Sequence, residues 1–466
     1  MNEVAAIRHE HDSLGDITVP DTSYYGAQTA RAIANFPISG IPLSHHRPLL
    51  QALAMVKQAA ARANATLGKL SPQQRDAIIA AAQEVIDGKL DAHFPIDVFQ
   101  GGAGTSTNMN MNEVLSHRGL ELMGRTRADA AALHPNDHVN MSQSTNDAYP
   151  TAVRLAVLLS IGALSAALDR LAATFDRKAA ETEHVVKLGR TQLQDAVPMT
   201  VGQELGAYAA TVREDIQRLE EASRLLHEIN LGGTAIGTRI NADAEYGPLA
   251  IAELARISGF QLVQSLNLVE ASWDMGGFVM FSGVLKRIAT KLSKIASDIR
   301  LLSSGPRGGI GEYAIPAVQP GSSIMPGKVN PVIPEVVNLV CFQVIGNDLA
   351  VTLAAEAGQL QLNAFEPLIA HNILSSIGLL ANAVGTFTER CVAGLEPRVQ
   401  QCMRHIENGV STVTALVPII GYERAAELAK RALAENRTVR ELARETGALT
   451  EEQLDEVLNP GKLAVV

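Results

Sequence analysis

The chain has 466 residues, of which 47% are hydrophobic, 19% charged and only 4% aromatic. This composition excludes wholesale disorder and leaves a core of Ala, Leu, Ile and Val, which suits closely packed helices. Lys and Arg number 39 against 49 Asp and Glu, a formal net charge of −10; with no basic run, the chain is a poor match for nucleic acid, whose phosphates need clustered cations.

At roughly 150 residues per domain, the length suggests about three domains. The opening stretch MNEVAAIRHEHD is charged and lacks the apolar core of a secretory leader. DITVP has the form of a short strand, and short helices are expected around residues 49–67 and 72–87, among loops rich in Gly, Asn and Thr. Four proline-free gaps follow, from Pro150 to Pro198, Pro198 to Pro248, Pro248 to Pro306 and Pro334 to Pro367. Each holds a helix of about 30 residues, roughly 45 Å long. Leu155, Leu158, Leu159, Ile161, Leu164 and Leu168 recur at helical spacing in the first.

Stretches such as EVVNLVCFQVIGNDLAVTLAAEAG are apolar around most of their circumference, so each such helix must be surrounded. About five helices are too few to surround one another, which predicts a homo-oligomer that pools them. The charge-free run after Glu366 carries His371, Asn372, Ser375, Ser376 and Asn382, and therefore reads as a buried bundle helix and not a membrane span. The last 70 residues hold short amphipathic helices. Cys341, Cys391 and Cys402 form no CxxC pair, and the odd count suits a reduced, cytoplasmic setting. The expected division is an N-terminal, mostly helical domain over 1–141, a helical bundle over 142–396 and a small helical domain over 397–466.

Four polar stretches interrupt the Ala- and Leu-rich chain: GGAGTSTNMNMNE, HPNDHVNMSQSTND, GRTQLQDAVP and GPRGGIGEYAIPAVQPGSSIMPGKVNP. Helix caps and turns use the same residues, so any one stretch reads as structural first. Four of them beside long helices point to converging segments. GSSIMPGKVNP is not a nucleotide loop, because its spacing has one residue too many and Val329 follows Lys328. His134 and His138 have zinc-ligand spacing, but Pro135 lies between them and no third ligand pattern follows. What GSSIMPGKVNP offers is a glycine-flanked loop with two serines and a lysine. A serine is a weak base unless Lys328 or nearby backbone N–H groups stabilise its alkoxide.

GSSIMPGKVNP closely resembles the signature loop of the aspartase/fumarase superfamily. The resemblance extends through LGDITVPDTSYYGAQTARAIANF, GGAGTSTNMNMNEV, HPNDHVNMSQSTNDAYPT, GRTQLQDAVPMT, GGTAIGT and AAEAGQLQLN, and so covers nearly the whole chain. It implies an all-α, three-domain protomer whose central long-helix bundle is pooled into a twenty-helix bundle in a homotetramer, with active sites shared between three chains. Fumarases have His after GRT; here Gln192 stands there, which resembles the aspartase branch. The implied reaction takes a small dicarboxylate amino acid, L-aspartate, to fumarate and ammonia. Releasing ammonia needs no activated water, and a neutral Gln can hydrogen-bond a carboxylate.

Carried over residue by residue, the resemblance makes Ser322 the base that takes the Cβ proton. Lys328 and Asn330 hold substrate carboxylate and loop. Thr105, Ser144, Thr191 and Gln192 donate to the β-carboxylate, where an enediolate develops. Thr145 and Asn146 take the α-carboxylate or ammonium end. Glu335 reads as a charge at a helix N-terminus, and Asn136 and Asp137 as caps of the turn after His134. Arg239 stands where relatives usually have Gly, which keeps open a lyase for a substituted aspartate. The superfamily also contains class II fumarate hydratases, which Gln192 opposes, and helical scaffolds that have lost their chemistry, which the intact Ser322, Lys328, Asn330 and Thr191 oppose. No cofactor is implied; Mg²⁺ activation occurs in some aspartases, but no EF-hand-like carboxylate cluster is present.

Overall fold

The computed structural model describes residues 6–464, so the first five residues of the stretch read for a leader lie outside the described residues. The chain opens with an antiparallel hairpin, β1 (Ile7–Asp12) and β2 (Gly15–Pro20), that contains the expected DITVP strand. Short helices follow: α1 (Ala27–Asn35), α2 (Arg47–Thr66), α3 (Pro72–Ile86) and α4 (Thr105–Leu122). Ser71 starts α3 with a reciprocal capping box to Gln74, and Pro72 occupies its first turn, where a missing N–H costs nothing.

Long helices then alternate with short connections: α5 (Thr145–Glu181), hairpin β3 (Val186–Thr191) and β4 (Gln194–Thr200), and α6 (Val201–Ser223). After β5 (Glu228–Ile229), α7 (Tyr246–Ser258) and β6 (Val263–Gln264) come α8 (Gly276–Leu302), β7 (Tyr313–Ala314), α9 (Val332–Glu356) and α10 (Glu366–Arg390). The chain closes through β8 (Glu396–Pro397), α11 (Val399–Asn408), α12 (Val417–Ile420), α13 (Tyr422–Glu435), α14 (Val439–Glu445), α15 (Glu451–Val457) and α16 (Pro460–Leu463). Among the described residues every named strand sits in a two-stranded pair, and the all-α class implied by the resemblance holds.

One boundary differs from the proline reading. Helix α5 begins at Thr145, five residues before Pro150, and runs straight through that proline. Pro150 has no N–H for the carbonyl of Asn146 four residues back. The side chain of Asn230 donates to that carbonyl instead, at 2.9 Å, so the helix tolerates the proline. Of the apolar residues spaced along α5, Leu155, Leu158, Leu164 and Leu168 are buried.

The chain divides into two compact units. The first comprises residues 1–164, 217–287 and 343–379. Its core is Ala- and Leu-rich, with Leu50, Leu53, Ala54, Val56 and Ala60 of α2 fully enclosed. The buried Glu113 carboxylate of α4 caps α1 by accepting from the N–H of Gly26, Gln28 and Thr29 and from the Thr29 hydroxyl. The second unit comprises residues 165–216, 288–342 and 380–466. Its C-terminal helices close around Leu416, Leu428, Val439, Leu442 and Leu454, with capping boxes at Thr438 and Thr450.

By length and composition alone, Thr145–Glu181, Val332–Glu356 and Glu366–Gly394 could each cross a membrane. They also bury polar side chains, among them Asn338, Asn347, Asp348, Glu366 and Asn372. Such groups are costly in lipid and ordinary inside a helical bundle.

Candidate active site

In the first unit, the polar stretches around Thr105 and Ser144 are packed together. Gly104 precedes α4 with φ of +87°, and a Cβ there would lie 2.5 Å from the Tyr149 ring. Only glycine lets the helix start against that tyrosine. Thr105 is then the first residue of α4, and it is exposed. One turn on, Asn108 donates its amide to the Thr145 hydroxyl oxygen at 3.3 Å, which ties the start of α4 to the start of α5.

Three buried charges hold this region. Asp147 accepts from the N–H of Ser144 at 2.9 Å, Gly232 at 2.9 Å and Thr234 at 3.0 Å. Burial pushes its carboxyl up to about 6 despite those donors. Asn146 donates to the carbonyl of Ala235 at 2.7 Å, and Ser144 accepts from the Asn146 N–H at 3.2 Å. Lys57 of α2 is fully buried, and its ammonium donates to Asn108 at 2.7 Å, Gln143 at 2.8 Å and Asn140 at 3.1 Å. Burial lowers this lysine to about 7. Glu113, the third, is spent on capping α1.

The cap before residue 140 differs from the expectation. His134, not Asn136 or Asp137, supplies it: its Nδ1 accepts from the N–H of both Asn136 and Asp137. A ring nitrogen at the position before a turn reaches the free N–H groups that carboxylates usually take. His138 accepts from the His134 N–H at 2.8 Å, so both histidines serve the backbone. Among the described residues no group of three or more His, Cys, Asp or Glu is placed to hold a metal ion.

In the second unit, Thr191 and Gln192 sit at the tip of the β3–β4 hairpin. Thr191 pairs with Gln194, so Gln192 and Leu193 form a two-residue turn. Both have positive φ, +53° and +61°, the geometry of a type I′ turn, which favours Asn and Gly. Leu193 is 70% exposed. Strand β3 of the hairpin is clamped by charge. Arg190 donates to Glu312 at 2.7 Å, His405 of α11 meets the same carboxylate oxygen at 2.8 Å, and Lys187 lies 3.3 Å from the other. Burial alone would raise Glu312, but the hydrogen bonds and charges of Arg190, Lys187 and His405 around it hold it below the ordinary carboxylate range. Lys187 also bonds Glu204 at 2.9 Å, which in turn takes the Tyr313 hydroxyl.

The loop from Gly321 to Asn330 is closed at its base. The Gly321 N–H donates to the Lys328 carbonyl and the Asn330 side chain to the Gly321 carbonyl, both at 2.8 Å. A Cβ on Gly321 would lie 2.6 Å from that Lys328 oxygen, so the closure requires glycine. Ser322 points its oxygen into the loop, where it accepts from the N–H of Ile324 at 3.2 Å and of Met325 at 3.1 Å. Behind the loop lies a cavity of about 780 Å³ whose charged lining is Arg300, Lys328 and Arg398, with no carboxylate among the lining residues. On a chain of net charge −10, this is a local excess of positive charge.

The candidate residues thus form three groups. Thr105, Ser144, Thr145 and Asn146 are gathered in the first unit; Thr191 with Gln192, and Ser322 with Lys328 and Asn330, lie on two segments of the second. Asn330 serves the loop base directly. Glu335 sits in the first turn of α9, as expected of a charge at a helix N-terminus. Arg239 is exposed in a loop with φ of +61°, and its side chain donates to Gln264 at 3.5 Å. Sequence reasoning missed Lys57 and the amides around it. The available signal was a lysine on the apolar stripe Leu50, Ala54, Lys57, Ala61.

A family profile described as lyase matches residues 15–346, and one described as fumarase C C-terminus matches residues 413–464. The chain belongs to the aspartase/fumarase superfamily of lyases. An aspartate ammonia-lyase of Pseudomonas fluorescens is 57% identical over 99% of this chain and 96% of its own length. A fumarate lyase:delta crystallin structure from Brucella melitensis, bound to cobalt, is 60% identical over 99% of this chain and all of that one, with a TM-score of 0.97. A class II fumarase structure from Schistosoma mansoni is more distant, at 36% identity and a TM-score of 0.93 over 98% of this chain and 99% of that one.

Proposed function

We propose that the chain converts L-aspartate to fumarate and ammonia. Ser322, as its alkoxide, takes a proton from Cβ. The electron pair left on Cβ is delocalised into the β-carboxylate as an enediolate. Its return forms the Cα=Cβ bond and expels the ammonium group as neutral ammonia. Thr105, Ser144, Thr191 and Gln192 donate to the developing dianion, Thr145 and Asn146 take the other end of the substrate, and Lys328 and Asn330 hold carboxylate and loop. Fixed neutral donors backed by a lysine suit a charge that grows during the reaction.

The observation that carries this reading is the pair of backbone N–H groups, of Ile324 and Met325, aimed at the Ser322 oxygen. Two aligned donors lower the cost of the alkoxide that an isolated serine could not sustain. Gln192 at the hairpin tip supports ammonia release over hydration, because no imidazole stands there to activate water. The name carried by the Pseudomonas fluorescens relative agrees.

The proposed assembly is a homotetramer with each site shared between three chains. Its support is the outer face of α9, where Val336, Leu339, Phe342, Ile345, Leu349 and Leu353 are all exposed at helical spacing. So long an apolar stripe calls for a protein partner. Thr191 and Gln192 have no side-chain hydrogen bond among the described residues and face outward, as groups completed by another chain would. Three free, buried cysteines suit a cytoplasmic setting.

The test is turnover of purified protein on L-aspartate and L-malate, followed as fumarate absorbance. Aspartate is expected to react and malate not to. Ser322→Ala is expected to abolish measurable turnover while leaving assembly intact. Turnover of malate alone, or an unimpaired Ser322→Ala enzyme, refutes the reading.

A further inference from the structure

Lys57 has no role in the chemistry set out above, yet it is a fully buried cation of the first unit. It has no exposed surface, and among the described residues its ammonium is surrounded by three side-chain amide oxygens and no carboxylate at ion-pair distance. A buried charge without a close counter-ion opposes folding. Asp147 is an opposite charge that acts on it, and that carboxylate is occupied by the N–H groups of Ser144, Gly232 and Thr234.

The consequence of the ammonium is directional. An ammonium only donates, so each amide must turn its oxygen toward Lys57 and its NH₂ away. For Asn108 the NH₂ then meets the Thr145 oxygen. That oxygen is an acceptor within the protein, and the hydroxyl proton is left for an outside acceptor. Asn140 is fixed in the same way, taking Lys57, Asn108 and Asn112 on one oxygen. A chain of donors, Lys57 to Asn108 to Thr145, therefore runs from the core to the first residue of α5.

We propose that Lys57 is a positioning residue for this site: through Asn108 it fixes the Thr145 hydroxyl as a donor, which selects a substrate carboxylate and not the ammonium at that position. The proposal rests on the reading that Thr145 touches substrate. With a neutral or apolar residue at 57, the Asn108 amide is free to flip, and its oxygen would then claim the Thr145 proton.

The experiment compares Lys57→Met, Lys57→Arg, Asn108→Ala and Thr145→Val in steady-state turnover of L-aspartate, with inhibition by succinate as a second measure of carboxylate binding. Thr145→Val is expected to raise KM and the succinate inhibition constant about tenfold, the worth of one well-made hydrogen bond. Lys57→Met and Asn108→Ala are expected to match it within a few-fold, with kcat changed much less, and Lys57→Arg to restore most of the affinity. A role in core stability alone would lower the amount of folded enzyme without moving KM. If Lys57→Met fails to fold, Asn108→Ala decides, since it removes the link and keeps the charge. The proposal is overturned if Thr145→Val weakens binding while Asn108→Ala and Lys57→Met leave KM and succinate inhibition at wild-type values. If Thr145→Val itself binds aspartate and succinate normally, the reading of the site has failed.

Discussion

Asn230 donates its side-chain amide to the main-chain oxygen of Asn146, the acceptor that Pro150 leaves without an N–H. In return, the Asn146 side chain is held on the Ala235 carbonyl. A candidate substrate residue is thereby fixed on both its main chain and its side chain by one strand-to-loop segment. The proline gives the arrangement its logic: without it, the helix would satisfy its own carbonyl and the segment near Asn230 would lose an anchor.

This pair makes a double-mutant prediction. Asn230→Ala is expected to destabilise the protein by about 1–3 kcal/mol, the cost of leaving a buried carbonyl unpaired. In a Pro150→Ala background the backbone N–H of residue 150 becomes available, and the same substitution is expected to cost about 1 kcal/mol less. Urea denaturation of the four proteins gives the coupling. Additive effects would show that the amide does not substitute for the missing N–H.

The hairpin tip predicts a trade between stability and turnover. Gln192 and Leu193 both hold positive φ, a geometry that side chains with a Cβ resist. Gln192→Gly is expected to raise stability by about 0.5–1 kcal/mol after the extra freedom of glycine in the unfolded chain is offset. Turnover is expected to fall by about 10²–10³, the usual effect of removing one donor to a developing oxyanion. Urea midpoints and fumarate absorbance measure the two effects. A variant that is less stable, or equally active, would contradict the view that Gln192 is retained for chemistry against its backbone preference.

Much of this arrangement was legible in the sequence for simple reasons. Local periodicity reports burial, so the long helices emerge from the spacing of residues such as Leu155, Leu158 and Leu168 between prolines. Turn chemistry is local too, and the GSS and GK glycines marked the Ser322 loop, whose base closure needs Gly321. What stayed hidden depends on groups far apart in the chain. Pro150 reads as a helix boundary until Asn230, 84 positions beyond Asn146, supplies the donor. Lys57 lies on an apolar stripe, but nothing local shows that Asn108, Asn140 and Gln143 surround it. Glu312 and His405, 93 positions apart, give no sign that they clamp strand β3 of the Gln192 hairpin.

Glu366 at the start of α10 is fully enclosed, and neither of its carboxylate oxygens has a hydrogen-bond partner among the described residues. Burial raises it to about 8, with Arg154 only partly opposing. In the unfolded chain the same group titrates near the ordinary 4.5. Between these values the folded protein holds a proton that the unfolded chain releases, so stability falls as pH rises through that window. The limiting slope for one such group is about 1.4 kcal/mol per pH unit. Glu366→Gln keeps the neutral shape and removes the titration. It is therefore expected to differ little from wild type near pH 5 and to be more stable by roughly 2–4 kcal/mol at pH 8. Guanidinium denaturation of both proteins from about pH 5 to about pH 8.5 measures the difference. Parallel curves across that range would mean that Glu366 is ionised in the folded protein, with Arg154 neutralising it as a true buried ion pair.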